Sequence, residues 1–349
     1  MAPPDPSVLD PGLIHLGESS RAGASLDFPS RIRCAHRLAG HGLELRPVHP
    51  HNQEKQRRER PRAMDQGQVI TKMRLGDSQV YKQVMEEMLP GLYRLAYGIT
   101  QDPMEAQDAV QDALVSMIRR IGDFQERSSL ATWLYRITVN ASLDRVRGRR
   151  RRGETIPIEE FLPRFTEEGR YAEEVVDWSD APLDRLLSSE AAERIQQAIA
   201  SLPEEQRVVL VMKDMEELAL SEIARALELS IPAVKSRLHR ARLALRGVLA
   251  SYFRERQGAS VTQQNRRRRH KHTCQELVEL LCDYLEGDLP QEDRNELDRH
   301  MRECPPCMAF LKTYRRTAQI CKGLRPEDIP PEVRERLEKF LQRGPSWPS

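Results

Sequence analysis

A chain of 349 residues, 31% charged and only 5% aromatic, is long enough for two or three ordinary domains and favours helical, solvent-laced ones over a β-sandwich or barrel. Its formal net charge of +2 excludes a uniformly acidic or basic protein; the arginines instead gather at 147–152 and 266–269, and such local basic patches are what nucleic acid responds to. There is no run of about 18 apolar residues, and the opening MAPPDPSVLDPG lacks the basic and apolar stretches of a signal peptide, so a soluble, cytoplasmic protein with no membrane partner is expected.

Residues 1–63 are rich in Pro, Arg, Gly and His without sustained periodicity, and are expected to form a disordered N-terminal extension. Met64 precedes the first clean helical sequence and is a candidate true start of the protein, which would make the segment before it an artefact of gene calling. Residues 77–152 predict an all-α domain with helices at Val80–Ile99, Pro103–Ile121 and Leu130–Arg147, the second capped by Asp102. On the second helix Asp108 and Asp112 stand four apart beside Gln111, which gives one anionic face. On the third, Trp133, Leu134 and Ile137 recur at helical spacing as core, while the amide of Asn140 can read a base edge. Arg145, Arg147, Arg149 and Arg150 make its end basic. Residues 153–187 carry Pro157, Pro163, Pro182 and many acids with no regular stripe, which reads as a linker.

Helices are expected again over 188–253. Within them SEIARALELSIPAVKSRLHRARLALRGV, residues 221–248, predicts two helices joined by a short turn. Ile231, Val234, Leu238, Ala241, Leu245 and Val248 lay one apolar stripe on the second of these, leaving Lys235, Ser236, Arg237, His239, Arg240 and Arg242 to point outward. Ser230 can cap it, and Pro232 is tolerated in its first turn, where the amides have no intrahelical partner. A helix fits the major groove of B-DNA, its early residues reaching base edges and its later cations meeting phosphates. An ordinary bundle helix with a solvated charged face has the same pattern.

A basic linker, 254–272, leads to a cysteine-bearing segment at 273–323. Four of the six cysteines fall between Cys274 and Cys307, and in a reducing compartment such clustering suggests metal before disulfides. His300 and Cys304 are expected one turn apart on a helix, with Cys307 just past a turn at Pro305 and Pro306. Together with the distant Cys274 they offer three thiolates and an imidazole, a donor set suited to a closed, structural, tetrahedral Zn2+ site. Reduced cysteines in a small bundle are the alternative. Zinc thiolates that lose metal can oxidise, so redox control is a further expectation. Cys282 falls with Val278, Leu281 and Leu285 as core, and the tail, 324–349, predicts a short helix at Pro331–Leu341.

Leu92, Leu95 and Ala96, AQDAVQDAL at 106–114 and LATWLYRITVNASLDRVRGRRRR at 130–152 resemble region 2 of bacterial RNA polymerase sigma factors of the extracytoplasmic-function (ECF) type. LPEEQRVVLVM at 202–212, EIA at 222–224 and VKSRLHRAR at 234–242 resemble region 4 of the same family, and the H-x-x-x-C-x-x-C segment resembles the zinc-binding anti-sigma domain. The resemblance implies a non-enzymatic initiation factor whose partners are core RNA polymerase, at the β′ clamp helices and the β flap, and promoter DNA. Asp108, Gln111 and Asp112 would face the clamp helices. The loop Gly122–Ser129 and Asn140 would face the unwound −10 element, with Arg145, Arg147, Arg149 and Arg150 on phosphates. Lys235, Ser236, Arg237, His239 and Arg240 would read the −35 element.

The anti-sigma resemblance implies occlusion of polymerase-binding surfaces, and an intramolecular sigma to anti-sigma contact is expected because a tether raises effective concentration. A helix-turn-helix regulator that does not replace the sigma subunit leaves 106–114 unexplained. A zinc hydrolase would need an open metal position, and no nucleophile–base pair or glycine-rich phosphate loop is evident. Three positions depart from the family pattern. Leu130 stands for an aromatic, Ala219 for a capping Ser, and Glu228 for the turn glycine, which in a left-handed backbone costs on the order of 1 kcal/mol.

Overall fold

The computed structural model describes residues 66–150, 158–181, 190–257, 261–262, 271–324 and 329–343. The expected disordered extension at 1–63 lies outside them, as do Arg151 and Arg152, and for Arg149 and Arg150 the description covers the helical backbone alone. The described fold is all-α, with one pair of two-residue strands. None of the described helices is long and apolar enough to cross a membrane.

Four helices form the first module: α1 (Gln66–Arg74), α2 (Ser78–Thr100), α3 (Pro103–Arg120) and α4 (Leu130–Arg150). The Asp102 carboxylate accepts from the amides of Met104 and Glu105, both at 2.9 Å, and so caps α3 as its sequence predicts. Helix α1 is the helical sequence expected after Met64, although it lies before the expected domain start at residue 77. It buries Val69, Ile70 and Met73 on the module's core, and its Arg74 holds the carbonyl of Phe124 at 2.6 Å. In α4 the core is made by Leu134, Thr138 and Val139, not by Ile137, which is half-buried; Trp133 is also half-buried and packs on Phe124 at 4.9 Å.

The second module comprises α5 (Glu190–Ser201), α6 (Glu204–Leu210) continued by a π turn (Val211–Met215), α7 (Leu220–Leu227) and α8 (Ile231–Gln257). Glu228 ends α7 in the left-handed region at φ 54°, and its carboxylate pairs with Arg136 of α4, an attraction that works against the strain. Ala219 begins α7 without a side-chain acceptor; the carboxylate of Glu222 takes the Ala219 amide at 3.0 Å instead. The Ser230 hydroxyl accepts from Ala233 N–H at 3.3 Å, as expected for a cap of α8. The stripe Val234, Leu238, Ala241 and Leu245 is fully buried, but Ile231 at its head is 42% exposed, because α8 begins beyond the edge of the core.

The third module is α9 (Cys274–Glu286), α10 (Gln291–Glu303) and α11 (Pro305–Gly323), and the last helix, α12 (Pro331–Arg343), returns to the first module. Val333 and Leu337 of α12 are buried in the same cluster as Leu92, Val110 and Met117, so the predicted tail helix is part of a core. Another cluster runs from Leu95 and Ile99 through Val234 and Leu238 to Cys282 and Cys321, joining all three modules. The segment read as an irregular linker is also structured: Val175–Val176 (β1) pairs antiparallel with Val261–Thr262 (β2), and Trp178 stacks on Phe253 at 5.5 Å.

Candidate DNA-reading helix and metal centre

Helix α8 presents three faces. One carries the buried stripe. A second holds Ser236 and Arg240, which are exposed. The third, which the sequence assigns to water, lies under α9 and α11. There His239 is 8% exposed and shares a 2.9 Å hydrogen bond between its Nδ1 and the Tyr314 hydroxyl; burial, with Arg242 and Arg240 beside it, pushes its pKa down to about 4. Arg242, also expected outside, is buried and donates to Asp214 at 2.8 Å. Burial opposes its charge, but the Asp214 carboxylate outweighs that and holds it protonated. One turn on, Arg246 lies 3.7 Å from the Phe310 ring centre and donates to Thr313 at 2.8 Å, and burial lowers its pKa to about 10.

Acids of the third module complete this cover. Lys235 lies 2.6 Å from both Asp283 and Asp288; burial works against its charge, while the two carboxylates raise its pKa. Glu286 reaches Lys213 at 2.9 Å and Arg242 at 3.7 Å. Arg237 is turned inside the second module, 2.7 Å from Glu205. Of the five candidate −35 residues, therefore, only Ser236 and Arg240 face outward. Periodicity places an apolar stripe, but it carries no signal that another segment covers the opposite side.

In the first module Asp108 and Asp112 share a face of α3, as expected, but Arg145 of α4 spans them at 2.9 and 2.6 Å, with Glu105 at 3.9 Å. Burial opposes the Arg145 charge and Asp112, Asp108 and Glu105 overcome it, raising its pKa. A residue assigned to phosphate thus neutralises residues assigned to polymerase. Gln111 is half-buried on α3 and Asn140 half-buried on α4. Arg147 bridges to Glu204 of α6 at 2.9 Å, and Arg94 of α2 to Glu216 at 3.1 Å, so the first two modules are also pinned together.

Cys274, His300, Cys304 and Cys307 come together with their donor atoms within 4.8 Å of one another. Thr273 caps α9, accepting from Glu276 N–H, which fixes Cys274 in the first turn. His300 lies in the last turn of α10; Cys304 is just beyond the helix with an extended backbone, φ −119°, and its amide donates to the His300 carbonyl at 2.8 Å. Pro305 and Pro306 do not make the expected turn. They occupy the opening positions of α11, where a missing N–H costs nothing, and Cys307 follows in its first turn. Cys274 Sγ is 3.9 Å from His300 Nε2 and 4.0 Å from Cys304 Sγ, close to the edge of about 3.8 Å that a tetrahedron with 2.3 Å metal–sulfur bonds requires. Three thiols this near cannot all ionise alone. Hydrogen bonds from Cys274 and Cys307 pull the Cys304 pKa down, while the contact with Cys304, with burial, pushes Cys274 up to about 12, and the contacts with Cys274 and Cys304 raise Cys307. A bound cation would relieve that conflict. Cys282 is core, as expected, with its pKa raised by burial to about 12.

A helix-turn-helix module joined to a second helical module and covered on one face by a Cys/His knot has the make-up of a modular DNA-binding protein. Family models for sigma-70 region 2 match residues 84–152, for sigma-70 region 4 residues 192–245, and for a zinc-finger family residues 274–308. The chain is 32% identical over 177 residues to the ECF RNA polymerase sigma factor SigW of Bacillus subtilis, covering 51% of this chain and 92% of that protein. It is 34% identical over 174 residues to the ECF sigma factor SigM of Mycobacterium tuberculosis, covering 50% and 79%. A solved complex of the sigma factor RpoE with the anti-sigma factor NepR from Bartonella quintana matches at TM-score 0.35 and 24% identity, over 48% of this chain and 96% of that one. This chain belongs to the ECF sigma-70 family of RNA polymerase sigma factors and carries a zinc-finger-like, anti-sigma-like domain after region 4.

Proposed function

We propose that the chain recruits core RNA polymerase to promoters through regions 2 and 4, and that the conformation described here is its restrained form, held by its own third module around a structural Zn2+. The observation that carries this reading is the covered face of α8: Lys235 is held by Asp283 and Asp288, and His239 is buried under Tyr314. A cation paired to two carboxylates is not available to phosphate, and a buried imidazole cannot reach a base. The Arg145 bridge to Asp108 and Asp112 lies within region 2 and leaves both acids about half exposed, so it orders that face of α3 without covering it. Zinc, when bound, supplies no reaction; Cys274, His300, Cys304 and Cys307 would hold it and so keep α9 and α11 packed against α8.

A pull-down of core RNA polymerase with the tagged full chain tests the assignment. Retention of core is expected, and more of it with Asp283→Lys/Asp288→Lys, which places like charges against Lys235. Failure of both proteins to retain core would refute the proposal.

A further inference from the structure

The segment joining region 2 to region 4 folds back on itself between Arg164 and Ala172. Ala172 N–H donates to the Arg164 carbonyl and Thr166 N–H to that of Arg170, both at 2.8 Å, and Gly169 N–H donates to the Thr166 carbonyl at 2.9 Å. Phe165 and Tyr171 pair across this turn with ring centres 5.2 Å apart. Its tip enters the third module. Gly169, at φ 70°, lies so near the cap of α9 that a Cβ would sit 2.7 Å from Thr273 Cβ, so only glycine fits. The Gly169 carbonyl accepts from Gln275 N–H at 3.0 Å, satisfying an amide that the helix start leaves open. Thr273 and Gln275 flank Cys274.

The other side of the turn reaches Cys307. Tyr171 is buried, stacks on Phe310 at 5.5 Å, and brings its hydroxyl to 3.8 Å from Cys307 Sγ. One turn of the interdomain segment therefore meets the residues on either side of one candidate ligand, Cys274, and the sulfur of another, Cys307, and β1 immediately afterwards is pinned by β2. Hydrogen bonds to ligand atoms orient them and tune metal affinity, and removing such a partner typically costs about 10–100-fold in affinity.

We propose that Tyr171 is a positioning residue of the metal centre: its hydroxyl, which here accepts from the Cys307 thiol, would donate to Cys307 Sγ once that sulfur is a metal-bound thiolate, and metal loading and the order of residues 164–176 are coupled through it. The inference rests on the reading that the four side chains hold zinc. The connection between the two promoter-reading modules is then part of the metal domain while that domain is loaded. A segment held there cannot at the same time span modules that have moved apart.

The test uses the full chain. Tyr171→Phe keeps the ring and its stacking and removes only the hydroxyl. Competition with a chromogenic chelator gives zinc affinity, cobalt substitution gives the thiolate charge-transfer band, and tryptic mapping reads cleavage after Arg164 and Arg170. Tyr171→Phe is expected to weaken zinc binding about tenfold and to shift the cobalt band. In the wild-type chain, chelation should open both tryptic sites and added zinc should close them. Unchanged affinity with an unshifted band, or equal cleavage with and without zinc, would overturn the coupling while leaving the zinc reading intact. A chain that takes up neither zinc nor cobalt would overturn both.

Discussion

His239 titrates far from where its sequence position suggests, and stability should record it. Its pKa falls from an ordinary 6.5 to about 4 because burial and the neighbouring Arg242 and Arg240 penalise the imidazolium, while Tyr314 faces it across the interface. The unfolded chain then binds more protons than the folded one between those values, so stability is fully present above pH 6.5 and is lost as pH falls toward about 4. Lowering the pH from 7.5 to about 5.5 should cost on the order of 1 kcal/mol through this residue. His239→Gln should flatten that part of the pH dependence of the thermal midpoint; an unchanged slope would place the imidazole in water. The stripe on α8 is legible in sequence because it repeats within one helix. The cover is not, because Tyr314 lies 75 residues further along the chain. The metal set is legible in composition and spacing, and only its local geometry differs, since two prolines suit a helix start as well as a turn.

Elements show the same division. Helices α2, α3 and α4 follow from period and cap, and their sequence-derived bounds lie within a few residues of those observed. The interdomain segment reads as irregular in sequence because its order comes from partners remote along the chain: Val175 and Val176 from β2, Tyr171 from α11 and Gly169 from α9. Gly247 reports this packing by the sign of a substitution. In an exposed helix Gly→Ala stabilises by about 1 kcal/mol, but a Cβ at Gly247 would lie 1.9 Å from the Phe161 carbonyl oxygen. Gly247→Ala should therefore lower the midpoint of urea unfolding, by about 1–3 kcal/mol of stability. A rise in the midpoint would mean that the segment at Ile158–Phe161 does not rest on α8.

Across the described residues the three modules are interlocked. Region 2 meets region 4 through Arg136–Glu228, Arg147–Glu204 and Arg94–Glu216, the third module covers α8, and α12 closes on the core of region 2. Under the proposed function, acids that meet the cations of α8 would occupy charges that DNA needs, and covering and reading would be mutually exclusive states of one surface. The isolated cover contacts are individually modest, so exposing α8 would require their combined release. The central claim is a promoter-reading sigma factor restrained by its own third module. Its most direct test is transcription from a genomic fragment library with core polymerase, with 5′ ends mapped for the full chain and for Asp283→Lys/Asp288→Lys. The account predicts transcripts from defined start sites only when core is present, at the same sites but several-fold more abundant with the variant. Equal or lower output from the variant, or no defined start sites from either protein, would contradict it.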